Sequence, residues 1–135
     1  MSSVLLDTSA YSAFMRGHKA IHHRLQHTDS IYLSPIILGE LQAGFARGKH
    51  TKKNAMELLQ FLASPRVNVV DINQGTAERY AVILSSLWNT GTPIPTNDLW
   101  IAASAMQHGL RLLTTDTHFQ KVSQVIVDYF KISDD

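Results

Sequence analysis

Four carboxylates carry most of the chemistry open to this sequence: Asp7, Glu40, Asp98 and Asp116. The apolar run Val4-Leu5-Leu6 stops at Asp7, and Leu110-Arg111-Leu112-Leu113-Thr114-Thr115 repeats that pattern up to Asp116. A carboxylate placed where a buried strand ends points into the crevice in which α/β sheets bind ligands. Glu40 lies within a helical stripe of Ile36, Ile37, Leu38, Leu41 and Phe45. Burying a glutamate there is expensive unless it is paired or bound to a metal. Asp98 opens a helix that continues with Trp100, Ile101, Ala102, Ala103, Ala105 and Met106. Carboxylates from four segments, once convergent, repel one another and require a cation, and hard oxygen donors select Mg²⁺ or Mn²⁺. The set would hold one or two ions, and two ~3.5–4 Å apart would activate a water and stabilise both oxygens of an in-line displacement at phosphorus. The expectation is a metal-dependent nuclease that needs no side-chain nucleophile.

Each carboxylate also has a plainer use. Asp7 can cap the helix that follows, although Thr8 and Ser9 are equally good caps. Glu40 can lie on a polar face with Gln42 and Ala43. Asp98 can offset the helix dipole, worth ~0.3–1 kcal/mol. Asp116 can be a turn residue or the cap of a short helix around Phe119. Thr8 and Thr114 add hydroxyls able to steady a carboxylate or a metal-bound water.

Alternating strands and helices must deliver these groups, which argues an α/β fold with a mostly parallel sheet. Strands are predicted at Val4–Leu6, Ser30–Leu33, Val67–Val70 and Leu110–Thr114, with an edge strand at Val125–Val127. Helices are predicted from Thr8 or Ser9 to Met15, from His18 to His27, and from Pro35 to about Phe45, where Gly44 and Gly48 mark the end. Further helices run from a Thr51 cap to Leu62, from an Asn73 cap to about Asn89, and from a Thr96 or Asn97 cap to His108, closed by Gly109. Lys131–Asp135 reads as a polar tail.

Composition sets outer bounds. At 135 residues, one domain spanning 1–135 is expected, and 44% hydrophobic with 17% charged residues is a globular balance. The absence of cysteine removes disulfides, zinc–cysteine sites and thiol chemistry, and it fits a reducing compartment. No apolar run is long enough to span a bilayer, and Asp7 interrupts any signal-like segment. The cytoplasm is therefore the expected location. A net charge of +1 does not announce nucleic-acid binding, but basic residues cluster at Arg47–Lys53 and Arg16–Arg24. Arg16, Lys49, Lys52 and Lys53 are the candidate phosphate contacts. His18 and His22, and His23 and His27, share helical faces, yet solvated or phosphate-facing roles are expected over zinc. Trp88 and Trp100 are expected to serve packing or dimerisation.

Taken in order, Leu5-Leu6-Asp7-Thr8-Ser9, Ser34-Pro35, Gly39-Glu40-Leu41, Gly44, Pro93-Ile94, Asp98 with Ile101-Ala102-Ala103-Ser104-Ala105, and Leu113-Thr114-Thr115-Asp116 with His118-Phe119 form a distributed pattern. This pattern resembles the PIN-domain ribonucleases, specifically the VapC-type toxins of bacterial toxin–antitoxin pairs, over essentially the whole chain. The resemblance implies a three-layer α/β/α fold with about five strands. It implies Asp7, Glu40, Asp98 and Asp116 around Mg²⁺ or Mn²⁺, with Thr8 and Thr114 in support. It also implies endonucleolytic cleavage of RNA such as tRNA or ribosomal RNA, a homodimer, and a VapB-type antitoxin. The stretch from Lys49 to Thr90 is the least family-specific. The rivals are a DNA or flap nuclease of the same fold and an inactive RNA-binding module, against which the intact quartet stands. A receiver domain would need an acidic neighbour for Asp7, and a haloacid-dehalogenase-like phosphatase would need an acid where Ser9 stands.

Overall fold

A computed structural model of the chain describes residues 2–132. At its centre is β1 (Ser3–Leu6), in which Val4, Leu5 and Leu6 are all fully buried. A strand apolar at consecutive positions is covered on both faces, as in parallel sheets flanked by helices. The chain continues through α1 (Thr8–Met15), α2 (Lys19–Gln26), β2 (Ser30–Leu33), α3 (Pro35–Arg47), α4 (Thr51–Leu62) and β3 (Val67–Val69). It then forms α5 (Gln74–Thr90), α6 (Thr96–His108), β4 (Arg111–Thr114), a 3₁₀ turn at Thr117–Lys121, and β5 (Val127–Tyr129). Five strands align in the order β3-β2-β1-β4-β5. Every pairing is parallel, so the sheet expected to be mostly parallel is wholly so.

With this strand order, the right-handed rule for parallel crossovers assigns α1 to α4 to one face and α5 with α6 to the other, giving three layers. Strand order reverses between β1 and β4, where a crevice must open at the carboxyl edge. The strands that flank the reversal are the most deeply buried, and each buried Leu in them contributes roughly 1.5–3 kcal/mol. In α6, Ala102, Ala103, Ser104 and Ala105 are buried, so small side chains let that helix press closely on its neighbours. Gly109, at φ 63°, then turns the chain into β4. The Leu110 N–H bonds back to the Ala105 carbonyl at 2.9 Å.

Several boundaries differ from those predicted. The last strand lies at Val127–Tyr129 rather than Val125–Val127. In the observed register Leu113 stands opposite Asp128, which bonds Arg24 at 2.7 Å and Arg111 at 2.8 and 2.9 Å. A two-residue slip would put Ile126 there and leave both guanidiniums without that partner. Asp7, not Thr8 or Ser9, caps α1. His50, not Thr51, precedes α4, and the Thr51 hydroxyl instead donates to the Phe45 carbonyl at 2.7 Å. Asn73 caps α5 as predicted, in a reciprocal box with Thr76. Neither Thr96 nor Asn97 caps α6, which follows Pro95 without a side-chain cap. α3 runs through Gly44 to Arg47 and ends at Gly48. Of the predicted polar tail, residues 133–135 lie outside the described residues, while the Lys131 carbonyl accepts a 2.6 Å hydrogen bond from His18 Nε2. Among the described residues, no helix is long and apolar enough to cross a membrane.

Candidate active site

β1 carries Asp7 to the carboxyl edge of the sheet, where its backbone N–H donates to the Leu113 carbonyl at 3.1 Å. Its carboxylate accepts the Ala10 N–H at 2.7 Å, capping α1. The same carboxylate accepts the Thr114 hydroxyl at 2.6 Å and the Ser9 hydroxyl at 2.8 and 3.0 Å. Thr114 Oγ1 in turn accepts the Asp116 N–H at 2.9 Å, and Ser9 Oγ accepts the Thr115 N–H at 3.0 Å. The loops after β1 and β4 are thereby knitted around one carboxylate that is 3% exposed. Burial pushes the Asp7 carboxyl up to about 6. The three hydrogen bonds pull it down only partly, and the Asp116 charge raises it further. A serine would cap this helix without that electrostatic cost, so capping alone does not explain an aspartate here.

Asp98 projects from the first turn of α6 and is half-buried. Burial raises its carboxyl above the ordinary range. The hydrogen bond from His118 opposes this, while the charges of Asp116 and Glu40 add to it. Asp116 caps the 3₁₀ turn by accepting the His118 N–H at 2.9 Å, and buried Phe119 anchors that turn. His118 Nδ1 lies 3.1 Å from both Asp98 Oδ2 and Asp116 Oδ1. Glu40 is half-buried on α3. It accepts the Thr8 hydroxyl on Oε1 at 2.5 Å and the Asn97 side-chain amide on Oε2 at 3.1 Å.

All four predicted carboxylates line one cleft of about 250 Å³, together with Thr8, Ser9, Ser12 and Ile101. Asp98 and Asp116 from this cleft, with His118 beside them, each offer a ligand atom, and these atoms lie within 4.8 Å of one another. Among the described residues, no Lys or Arg forms an ion pair with any of the four. An acidic group that lacks an internal cation suits a hard divalent ion.

Sequence reasoning missed Ser9 and Asn97, and it gave His118 support of the Asp116 loop but no contact with Asp98. The His118 signal was its spacing of two from Asp116, which the 3₁₀ turn converts into a shared contact. Of the basic candidates, exposed Arg16 lines a groove of about 190 Å³ with Tyr11, Met15, Phe45, Asn54 and Glu57. That groove meets the cleft at Ser12. Lys49, Lys52 and Lys53 are exposed at the α3–α4 turn and line neither. The α2 histidines are engaged locally: His18 caps the helix, His22 stacks on Phe14, and the His23 and His27 rings lie 4.5 Å apart. Trp100 packs on Tyr80, whereas Trp88 is 71% exposed.

Comparison with known proteins identifies the family. Residues 4–125 match the PIN domain family. Ribonuclease VapC1 of Rickettsia felis is 34% identical over 113 residues, which is 82% of this chain and 83% of that protein. Ribonuclease VapC4 of Mycobacterium tuberculosis is 30% identical over 95 residues, covering 70% and 73%. The structure of VapBC-1 from nontypeable Haemophilus influenzae superposes with a TM-score of 0.82 at 26% identity, covering 94% of this chain and 97% of that one. With the family match spanning most of its length and its acidic cleft at the reversal of strand order, the chain belongs to the PIN-domain family, among the VapC-type members.

Proposed function

We propose that the protein is a metal-dependent endoribonuclease, the toxin of a type II toxin–antitoxin pair, built as one PIN domain over residues 1–135. The observation that carries this reading is the cleft itself: four carboxylates from four segments that, among the described residues, meet no Lys or Arg and only one histidine, His118. Relatives named as ribonucleases support the substrate class. Asp98, Asp116, Asp7 and Glu40 would hold Mg²⁺ or Mn²⁺. When bound, the ion would ease removal of a proton from a water so that it can attack phosphorus, and would offset charge on the phosphate oxygens.

The chain's own residues do the rest. Ser9 and Thr114 fix both oxygens of Asp7, and Thr8 fixes one oxygen of Glu40. His118 sets the separation of Asp98 and Asp116 through Nδ1. Arg16 flanks the cleft along the groove that starts at Ser12, a place for a substrate phosphate. Lys49, Lys52 and Lys53 offer further contacts to a longer structured RNA, such as tRNA or ribosomal RNA. The Haemophilus VapBC-1 structure supports a VapB-type antitoxin as partner. A homodimer and a cytoplasmic location belong to the same reading, with exposed Trp88 as a candidate dimer contact.

Total cellular RNA incubated with the purified protein and Mn²⁺ should give discrete fragments, and EDTA or Asp98→Asn should abolish them. Equal cleavage by parent and variant would remove these carboxylates from the catalytic role. Cleavage of DNA in place of RNA would replace the substrate.

A further inference from the structure

Asn97 occupies a position that its residue type does not favour. Asparagine is among the best helix caps and among the poorer residues inside a helix. Here it stands one residue inside α6, exposed, while Pro95 takes the cap position without a side-chain bond. The local preference is therefore unmet, and such violations concentrate where a residue serves a site. What the side chain does instead is reach a different helix. Its Nδ2 donates to Glu40 Oε2 at 3.1 Å, a bond spanning 57 residues of sequence.

Glu40 needs such a partner. Its helix is anchored to the core by Ile37 and Leu41, but the glutamate side chain itself has several rotatable bonds and is only half-buried. Thr8 fixes one carboxylate oxygen at 2.5 Å. A single hydrogen bond leaves the carboxylate free to pivot about it, and the second, from Asn97, fixes the plane. Both donors are neutral, so they orient the group without cancelling its charge. Each oxygen keeps a further lone pair that can face the cleft. A Lys or Arg at this position would form an ion pair and compete with any cation drawn to Glu40. Asp98 follows directly on the same turn and lines the same cleft. One turn of α6 thus supplies one acidic group and the clamp for another.

We propose that Asn97 is a positioning residue that, with Thr8, holds the Glu40 carboxylate in the orientation needed to bind the divalent ion. This assignment rests on the metal-dependent reading above. The test is a double-mutant cycle of Mn²⁺ affinity, measured by calorimetry on the full chain with Asn97→Ala, Glu40→Ala and the double variant. Removal of a group that supports a metal ligand typically costs ~10–100-fold in affinity. Asn97→Ala should fall near the low end, about tenfold, because its bond is solvent-accessible. In the Glu40→Ala background it should cost nothing further. Asn97→Gln, which keeps an amide donor, should recover part of the loss. Steady-state cleavage of an RNA oligonucleotide should show a reduced kcat with KM retained, and the melting temperature without metal should stay at the parent value. Parent-like Mn²⁺ affinity in Asn97→Ala, or an equal loss in both backgrounds, would overturn the assignment while leaving the metal reading intact. A parent that binds no Mn²⁺ would overturn both.

Discussion

Asp7 and Asp128 belong to the same parallel sheet, one just beyond its central strand and one on its edge, and their surroundings act on them in opposite directions. Asp128 faces two guanidiniums. The Arg111 hydrogen bonds lead in holding its carboxyl below the ordinary range, with Arg24 adding to them. Asp7 is more deeply buried and accepts as many hydrogen bonds, yet every donor is neutral and its nearest charged influence is Asp116. Burial therefore wins, and its carboxyl rises to about 6. At Asp7 the neutral hydrogen bonds offset burial only in part, whereas at Asp128 the two guanidiniums outweigh it. The sheet supplies its own cations at Asp128, where the role is to lock β5 to β4 and α2. At Asp7 the described residues supply none, which is the place the proposed divalent ion would take.

The sharpest way to break this contrast is Asp7→Asn. The amide keeps an oxygen for the Ala10 N–H, so the α1 cap survives. RNA cleavage should fall by more than ~100-fold, beyond what loss of a supporting residue costs. The metal-free protein should become more stable. The rise of the Asp7 carboxyl to about 6 corresponds to an upper bound of about 3 kcal/mol at neutral pH. Part of that gain is lost because an amide cannot accept from both Ser9 and Thr114 as the carboxylate does. An Asp7→Asn variant that melts below the parent would mean the ionised group is compensated in a way the cleft does not reveal.

A pH series separates the two aspartates by sign. Asp7 binds its proton more tightly folded than unfolded, so the metal-free fold should gain stability as pH drops from above 6 into the ordinary carboxylate range. Asp98, also raised, acts in the same direction. Asp128 is depressed, so its contribution is complete above the ordinary carboxylate range and disappears only in stronger acid. Urea unfolding at a series of pH values should place maximum stability below neutrality for the parent, with a flatter curve for Asp7→Asn. The smallest effect is expected at the compensated site. Asp128→Asn should destabilise by about 1 kcal/mol or less, because Arg24 and Arg111 are partly exposed and solvent screens the pairs. RNA cleavage by that variant should match the parent.

The carboxylates at strand ends were legible because their signal is local: an apolar run followed by an acid. Glu40 and Asp98 were legible as candidates from their own segments, and as neighbours only through the family resemblance, since what unites them is the packing of α3, α6 and β1 at one edge. Caps were harder. Asp7, Thr8 and Ser9 are all good capping types in succession, and burial of Asp7 beneath the β4 loop decides among them. The Asn97–Glu40 bond left no mark in the sequence, because residues far apart along the chain carry no shared period. β5 was misplaced because a three-residue strand has too little periodicity of its own. Its register follows from pairing with β4 and from Asp128 meeting two arginines.

The most direct test of the uncompensated cleft is calorimetric titration of the protein with Mn²⁺ at pH 6 and pH 7.5 in buffers of different ionisation enthalpy. Binding to the parent should release protons, more at pH 6 than at pH 7.5, because Asp7 is partly protonated near 6 and must ionise to serve the ion. Asp98→Asn should remove or strongly weaken the binding. No binding to the parent, or binding that is unchanged in Asp98→Asn, would contradict the account.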